Sequence, residues 1–323
     1  MFYMFMKLRK IIAFGKSSFI ISLPKKWLKN NNLTSGNYVS VIENDTSISI
    51  ESIEKNKKIK KICNLNVEDL PISAIKKLIL SAYVKGAEII EIKCSNIIKK
   101  NSEIKTFISK LNGLNIIESG KDKIIIEDLL DYSKLSINNM IKRCEIIIKY
   151  IFSILSEVHS KADLQSINER YEEVNSIQYL INRIINLSCN NNEFNIDINN
   201  HDKLNFFLIL KKFKLILKNC LRTADTIFHY SLSDYLDKNF IEYIKNINNL
   251  FSDLMNSYHS KNFMLANDSF EDLKKLEKDV YDKFGVSKNI YLNKIYVELL
   301  LIIIEIKYLS NIIMNEQVNI IEN

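Results

Sequence analysis

Seven basic side chains precede the first acidic residue of this 323-residue chain, which is Glu43. They are Lys7, Arg9, Lys10, Lys16, Lys25, Lys26 and Lys29. A surface that is merely solvated usually mixes both signs of charge. This unopposed stretch therefore indicates contact with a polyanion. Ser17 and Ser18 follow Lys16, and their hydroxyl and amide groups can also bind phosphate.

The excess of positive charge is confined to the start of the chain. Residues 1–61 contain 12 Lys and Arg against four Asp and Glu, residues 62–132 contain ten of each, and residues 133–323 contain 23 against 24. A basic head on a near-neutral body points to a polyanion contacted by the head alone. Segment 55–61 (KNKKIKK) has a second interpretation, a solvated linker, and the sequence leaves both open.

Two acidic pairs at helical spacing suggest a different chemistry, the binding of a cation. Glu169 and Glu173 are four residues apart, as are Asp268 and Asp272, so each pair lies on one side of a helix. A hard cation such as Ca²⁺ takes about six to eight oxygen ligands, and one pair per helix supplies few of them. A solvated acidic face is the simpler interpretation, and no metal cofactor is expected.

No residues of the chain form a recognisable catalytic motif. The four histidines are isolated in the sequence. His159 and His259 are expected at helix ends, where a helix C-terminus favours a charged imidazole. The segment Gly15-Lys16-Ser17-Ser18 ends like a phosphate-binding loop, but Lys10 occupies the position of that loop's first glycine. The sequence predicts that the protein is not an enzyme.

The cysteines and the apolar runs indicate the cellular compartment in which the protein is expected. Five cysteines are scattered without a Cys-x-x-Cys pair or a nearby histidine, which excludes the common zinc sites and gives no disulfide framework. Reduced thiols in a cytoplasmic protein are the simplest account. The apolar run 297–306 contains two glutamates and is shorter than the roughly 20 apolar residues of a membrane span. No membrane insertion is expected.

The sequence predicts three parts, at 1–54, 62–131 and 133–323. In the first, apolar residues alternate over 19–23, a helical run follows Pro24 to about residue 30, and an extended pattern resumes at Tyr38. In the second part, the residue pattern predicts a helix over 71–86 that ends at Gly86. Strands over 87–94, 114–118 and 123–127 and a helix over 102–112 complete a small α/β connecting layer.

The third part contains an internal repeat. His159-Ser160-Lys161 recurs as His259-Ser260-Lys261, one hundred residues later. Each copy ends one helix and precedes an acidic second helix, over 163–187 or 267–284, and a long apolar third, over 204–235 or 289–315. Because each helix is apolar along one side, two three-helix bundles are expected, at about 133–232 and 234–323. The predicted fold class is multidomain and mainly α.

Three motifs of the head match a known pattern: the turn at 15–18 (GKSS), the strand end at 22–25 (SLPK), and the segment 36–39 (GNYV), in which Asn37 replaces the usual acid. On these motifs the stretch from Arg9 to Ile50 resembles the SpoVT-AbrB family of swapped-hairpin DNA-binding domains. The resemblance implies a β-barrel shared by two chains, and hence a homodimer through 1–54. The first strand would contain Lys7, Arg9 and Lys10. The expected DNA contacts are Lys7, Arg9, Lys10, Lys16, Ser17, Ser18, Lys25 and Lys26.

The tail resembles that of archaeal PhoU-like regulators, a tandem pair of three-helix bundles. In that family the second helix carries an acidic cluster, which matches 169–173 and 268–272, and the third helix carries carboxylates that can share a metal. Here the third helices retain Asp225, while Leu221 and Ser310 replace other acids. The only candidate metal ligands are thus Glu169, Glu173, Asp225, Asp268 and Asp272.

Together the two resemblances imply a cytoplasmic, dimeric transcriptional regulator of phosphate uptake, with a DNA-binding head and a sensory or partner-binding tail. The alternative is a PhoU-type signalling adaptor that does not bind DNA. Its head would only dimerise, and its bundles would bind a phosphate transporter or a kinase. Salt-sensitive DNA binding by the head would distinguish the two.

Overall fold

The computed structural model describes residues 8–15, 18–44, 47–52, 60–155, 160–190, 200–232, 236, 238–284 and 290–318. Over these residues the chain is mainly helical, with a small strand region near its N-terminal end and a helical C-terminal part. The chain divides into two compact units, Met1–Lys60 and Lys61–Asn323. The α/β layer and the long helices therefore share one unit.

The first unit consists of two β-hairpins joined through a short helix. β1 (Ile12–Phe14) pairs with β2 (Ser18–Ile20), helix α1 spans Lys25–Asn30, and β3 (Val39–Asn44) pairs with β4 (Ser47–Ser52). Both pairs are antiparallel, and they form separate two-stranded sheets. An isolated two-stranded hairpin is at best marginally stable in water. The described residues of one chain do not form a closed barrel.

The second unit begins with a four-stranded sheet. Its strands are β5 (Ile62–Asn66), β6 (Ile89–Lys93), β7 (Leu114–Ser119) and β8 (Lys123–Asp128), in the order β5-β6-β8-β7. β5 and β6 are parallel, and the other neighbours are antiparallel. Alternate residues of β6 and β8 turn inward and are fully buried against helices α2 (Ile72–Val84) and α3 (Asn101–Ile108). α2 ends at Val84, two residues before the predicted end at Gly86, and Gly86 follows the helix cap with a φ of +88°.

Strand β5 is the element of this layer that the sequence analysis misses. Cys63 and Leu65 pack against the core of the layer, which is the alternation typical of a strand. Asn64 and Asn66 occupy the exposed positions between and after them. Asparagine is depleted in strands, so the short pattern is weak in sequence.

Six helices follow the layer in the part of the chain that the structure describes. They are α4 (Ile137–Leu155), α5 (Lys161–Asn190), α6 (Asn200–His229), α7 (Lys238–Ser260), α8 (Phe263–Lys283) and α9 (Ile290–Glu316). All six contribute to one continuous apolar core. Within it Phe251 of α7 makes edge-to-face contacts with Phe152 and Phe213, at centroid distances of 5.8 and 5.9 Å. The two sets of three helices therefore share their core. No described helix has the length and apolar composition that crossing a membrane requires.

Arg183 of α5 joins the helices to the α/β layer. Its side chain is fully buried. Nε donates to Tyr132 Oη at 2.5 Å, Nη2 donates to the Ala87 carbonyl at 2.9 Å and to Asp128 Oδ2 at 2.5 Å, and Nη1 donates to the Tyr83 carbonyl. The guanidinium also lies over the Tyr83 ring, 4.8 Å from its centroid. A buried charge is tolerated only when it is paired and hydrogen-bonded. Acceptors from both sides of the junction meet this requirement for the Arg183 guanidinium.

We expect Asp128→Ala to lower the free energy of unfolding by about 3–5 kcal/mol, because the Arg183 charge stays buried without its carboxylate. Asp128→Ala combined with Arg183→Met should cost less, since the buried charge is removed as well. Lys134→Ala, which deletes the exposed pair with Asp131, serves as a control and should change stability by less than about 1 kcal/mol. Urea denaturation followed by circular dichroism measures all three. Equal effects of Asp128→Ala and Lys134→Ala would contradict the role of the network.

Candidate functional site

The first hairpin carries apolar side chains on both of its faces. The register pairs Ile12 with Ile20 and Ala13 with Phe19, so Ile12, Phe14 and Ile20 lie on one face and Phe19 lies on the other. Phe14 is 65% exposed and Phe19 is 74% exposed. A hairpin that is apolar on both faces needs cover on both, and the described part of one chain leaves these rings in solvent.

The second hairpin has several apolar residues on one face. Val41 pairs with Ile50, and Ile48 pairs with Glu43, which places the three apolar side chains on the same face. Val41 and Ile48 are mostly exposed. Among the described residues of the first unit, Leu33 is the only buried apolar side chain. As a single chain, the first unit has too little buried apolar surface to be stable alone.

Four of the expected DNA contacts are basic residues that the structure describes, and all four are exposed: Arg9, Lys10, Lys25 and Lys26. Lys25 and Lys26 are the first two residues of α1. Arg9 Nη1 donates to Ser22 Oγ at 3.4 Å, which leaves most of its N–H groups available. None of the four forms an ion pair with another described residue. Ser18 begins β2 and is also exposed.

The expectation that Lys7, Arg9 and Lys10 belong to the first strand needs correction. β1 begins at Ile12, after Arg9 and Lys10, and Lys7 lies outside the described residues. The ladder stops there because its partner strand ends at Ile20 and the chain then turns into α1. Lys16 and Ser17 also lie outside the described residues.

Both members of the acidic pair on α5 have partners, and those of Glu173 are basic. Arg143 Nε donates to Glu173 Oε1 at 2.9 Å, and Arg170 Nη1 donates to Oε2 at 2.8 Å. Partial burial raises the pKa of Glu173, but the hydrogen bonds from Arg170 and Arg143 outweigh it, so the pKa lies below its usual value. Glu169 accepts a hydrogen bond from Gln165 Nε2 at 2.9 Å. Glu173 therefore already has cationic partners.

The remaining metal candidates lie on other helices. Asp272 of α8 pairs with Lys275 at 2.8 Å, and Asp268 is exposed on the same helix. Asp225 Oδ1, near the end of α6, lies 3.1 Å from His229 Nδ1. Within the described ranges, no group of three or more His, Cys, Asp or Glu side chains could hold a metal ion. The structure does not bring the five candidate carboxylates together.

The sequence predicts that His259 interacts with the C-terminal end of its own helix, but its partner in the structure lies on another helix. Its Nε2 lies 2.8 Å from Glu145 Oε2, on α4. Glu145 is buried and also accepts a hydrogen bond from Lys149 at 2.5 Å. This contact joins the first helix of one repeat to the first helix of the other, across a separation of more than one hundred residues. The corresponding histidine of the first repeat, His159, lies outside the described residues.

Comparison with known proteins gives no further assignment. No protein-family model and no curated protein matches the sequence of this chain. The functional interpretation therefore depends on the geometry of the two units and on the motifs that resemble SpoVT-AbrB and PhoU proteins.

We expect the full-length protein to be a dimer, because a second copy can cover the exposed faces of both hairpins. Sedimentation equilibrium should give about twice the chain mass of 37.7 kDa. Phe14→Ser combined with Phe19→Ser should shift the protein to monomer. Ile98→Ser, an equally polar change at an exposed position of the second unit, should leave the dimer intact. A monomeric wild-type protein would contradict the expectation.

We also expect no stoichiometric transition metal, because the candidate carboxylates lie on three helices and most already have partners. Elemental analysis of protein purified without chelator or metal-binding tag is the measurement. One or more iron or zinc ions per chain would show that this expectation is wrong, and Asp225→Asn would then test whether the PhoU-like position binds the metal.

Proposed function

We propose that the chain is a dimeric DNA-binding transcriptional regulator whose first unit is completed by a second copy. The observation that carries the proposal is the coincidence, in one small unit, of uncovered apolar hairpins and exposed cations without described ionic partners. The resemblance of residues 9–50 to swapped-hairpin domains supports an exchange of hairpins between the two chains.

A two-fold dimer would present every basic residue of the unit twice. Arg9, Lys10, Lys25 and Lys26 of both chains would then contribute to one DNA-binding surface. Each lysine that neutralises a phosphate releases counterions, so binding becomes steeply dependent on salt. An arginine can in addition donate two hydrogen bonds to the edge of a guanine, which makes Arg9 the candidate for sequence preference.

The resemblance of the helical part to PhoU proteins supports phosphate homeostasis as the regulated process. In this proposal the helices of the second unit respond to phosphate status or to a protein partner. Their shared core gives them the rigidity that such a response needs.

The adaptor without DNA binding is the second candidate, and one surface feature favours it. Tyr230, just after α6, stacks on Tyr291 of α9 with ring centroids 3.7 Å apart. Both rings are partly exposed, and the neighbouring Ile290 is largely exposed. Partly exposed aromatic side chains are enriched where proteins bind one another, so this end of the helices is suited to a protein partner.

We expect Lys25→Ala combined with Lys26→Ala to weaken binding to all DNA sequences alike. Four phosphate contacts per dimer would be lost, so the slope of log affinity against log salt should become shallower by roughly three to four. Arg9→Ala should instead reduce preference for the best sequence, by about 1–3 kcal/mol per contacted base pair. Fluorescence anisotropy at several salt concentrations, with a DNA selected from a random pool and a scrambled control DNA, measures both effects.

Lys99→Ala, at an exposed lysine of the second unit, is the matched control and should leave affinity and salt slope unchanged. If the Arg9 and Lys25/Lys26 variants bind DNA like the wild type while remaining dimers, the first unit does not bind DNA. The adaptor would then be the better account of the protein.

A further inference from the structure

A cleft of about 450 Å³ lies in the second unit, where α4 and α5 meet the loop between α3 and β7. Small-molecule sites commonly occupy clefts of roughly 300–1,000 Å³ between packed elements. The lining residues come from α5, from the start of α4 with the segment before it, and from the loop. The cleft includes the α5 glutamates that the sequence offers as metal ligands, but the structure surrounds them with different chemistry.

The cleft is charged at one end and apolar at the other. Arg143 of α4 faces Glu173 of α5. One turn away on each helix, on the same side of the pair, stand Met140 and Ile177, which also line the cleft. Leu180 extends this apolar end by another turn of α5. Ile177 and Leu180 are buried, and Met140 packs against the core. The apolar end of the cleft is therefore formed by well-packed side chains.

At the charged end of the cleft, a cationic donor and an anionic acceptor can each form further hydrogen bonds. Arg143 donates to Glu173 through Nε and Nη2, which leaves further N–H groups of the guanidinium available. Glu169 lies one turn before Glu173 on the same side of α5, and its described hydrogen-bond partner is the neutral amide of Gln165. Arg143 is 67% exposed, and partly exposed ion pairs rearrange at little energetic cost. A cationic donor, Arg143, and a carboxylate, Glu169, thus both line the cleft.

The far wall of the cleft is fixed to the α/β layer. Asn112 Nδ2 donates to Ser176 Oγ at 2.9 Å, and that hydroxyl donates to the Lys110 carbonyl at 2.6 Å. Lys110 Nζ also pairs with Glu172 at 3.1 Å. These contacts hold the loop against α5, so the cleft has rigid walls on both sides of its apolar floor.

We propose that this cleft binds a free α-amino acid with an apolar side chain. Such a molecule carries a carboxylate and an ammonium group on one carbon, which matches Arg143 and Glu169, one turn from its partner Glu173, in the lining of the cleft. Its side chain would lie along Met140 and Ile177. A simple amine or a simple carboxylate would use one of the two charged groups and leave the other without a new partner. The site does not depend on whether the first unit binds DNA.

Isothermal titration of the full-length protein with L-leucine tests the proposal. Saturable binding at one site per chain is expected. L-leucinamide lacks the carboxylate, 4-methylpentanoate lacks the ammonium group, and glycine lacks the apolar side chain. Each of the three should bind about tenfold or more weakly than L-leucine, because each loses a charge-assisted hydrogen bond or the apolar contact.

Two variants locate the site. Glu169→Gln keeps the shape of the side chain and removes its charge, Arg143→Gln removes the guanidinium, and each should weaken L-leucine binding about tenfold or more. Glu271→Gln, at an exposed carboxylate paired with Lys274 on α8, should bind like the wild type. Circular dichroism confirms that each variant is folded. Absence of binding, equal binding of glycine and L-leucine, or an unchanged affinity in Glu169→Gln would each overturn the proposal.

Discussion

The arrangement of the second unit depends on the burial of one charge, that of Arg183. The guanidinium is acceptable in an apolar junction because it donates hydrogen bonds to the carbonyl of Tyr83, in the last turn of α2, and to that of Ala87, just after the helix. Asp128 supplies the opposite charge from the end of β8. Gly86 lies between the two carbonyls in the left-handed region, and a Cβ on it would come within 2.6 Å of Leu187. A helix end, a strand end and a glycine thus set one position of α5 against the sheet.

The two units differ in how completely one chain can bury its apolar residues. The second unit contains two cores, one in the layer and one among the six long helices, and Arg183 connects them. The first unit leaves the aromatic rings of its first hairpin in solvent. The excess of basic over acidic residues is confined to this incompletely buried unit. Charge and incomplete burial therefore both support the proposal that assembly with a second copy would create the binding surface.

The sequence predicts those features that depend on local patterns. The helical C-terminal part follows from its apolar periodicity, and the end of α2 follows from Gly86. Strand β5 is missed because Asn64 and Asn66 give it little strand character. Arg183 is missed for another reason, since in sequence it resembles any solvated basic residue of a long helix. The cleft depends on how Arg143 meets Glu173 between helices, and no spacing within one helix contains that information.

The shared core of the six helices has a consequence for the synthesis of the protein. Phe152 and Phe213 pack on Phe251, and Lys212 of α6 pairs with Glu305 of α9 at 2.7 Å. The ribosome releases α4 and α6 before it has made α7 and α9. Until then the first three helices expose the apolar surface that their later partners will cover, which is the condition under which nascent chains aggregate or bind chaperones. This part of the chain therefore completes its folding only after α9 has been synthesised.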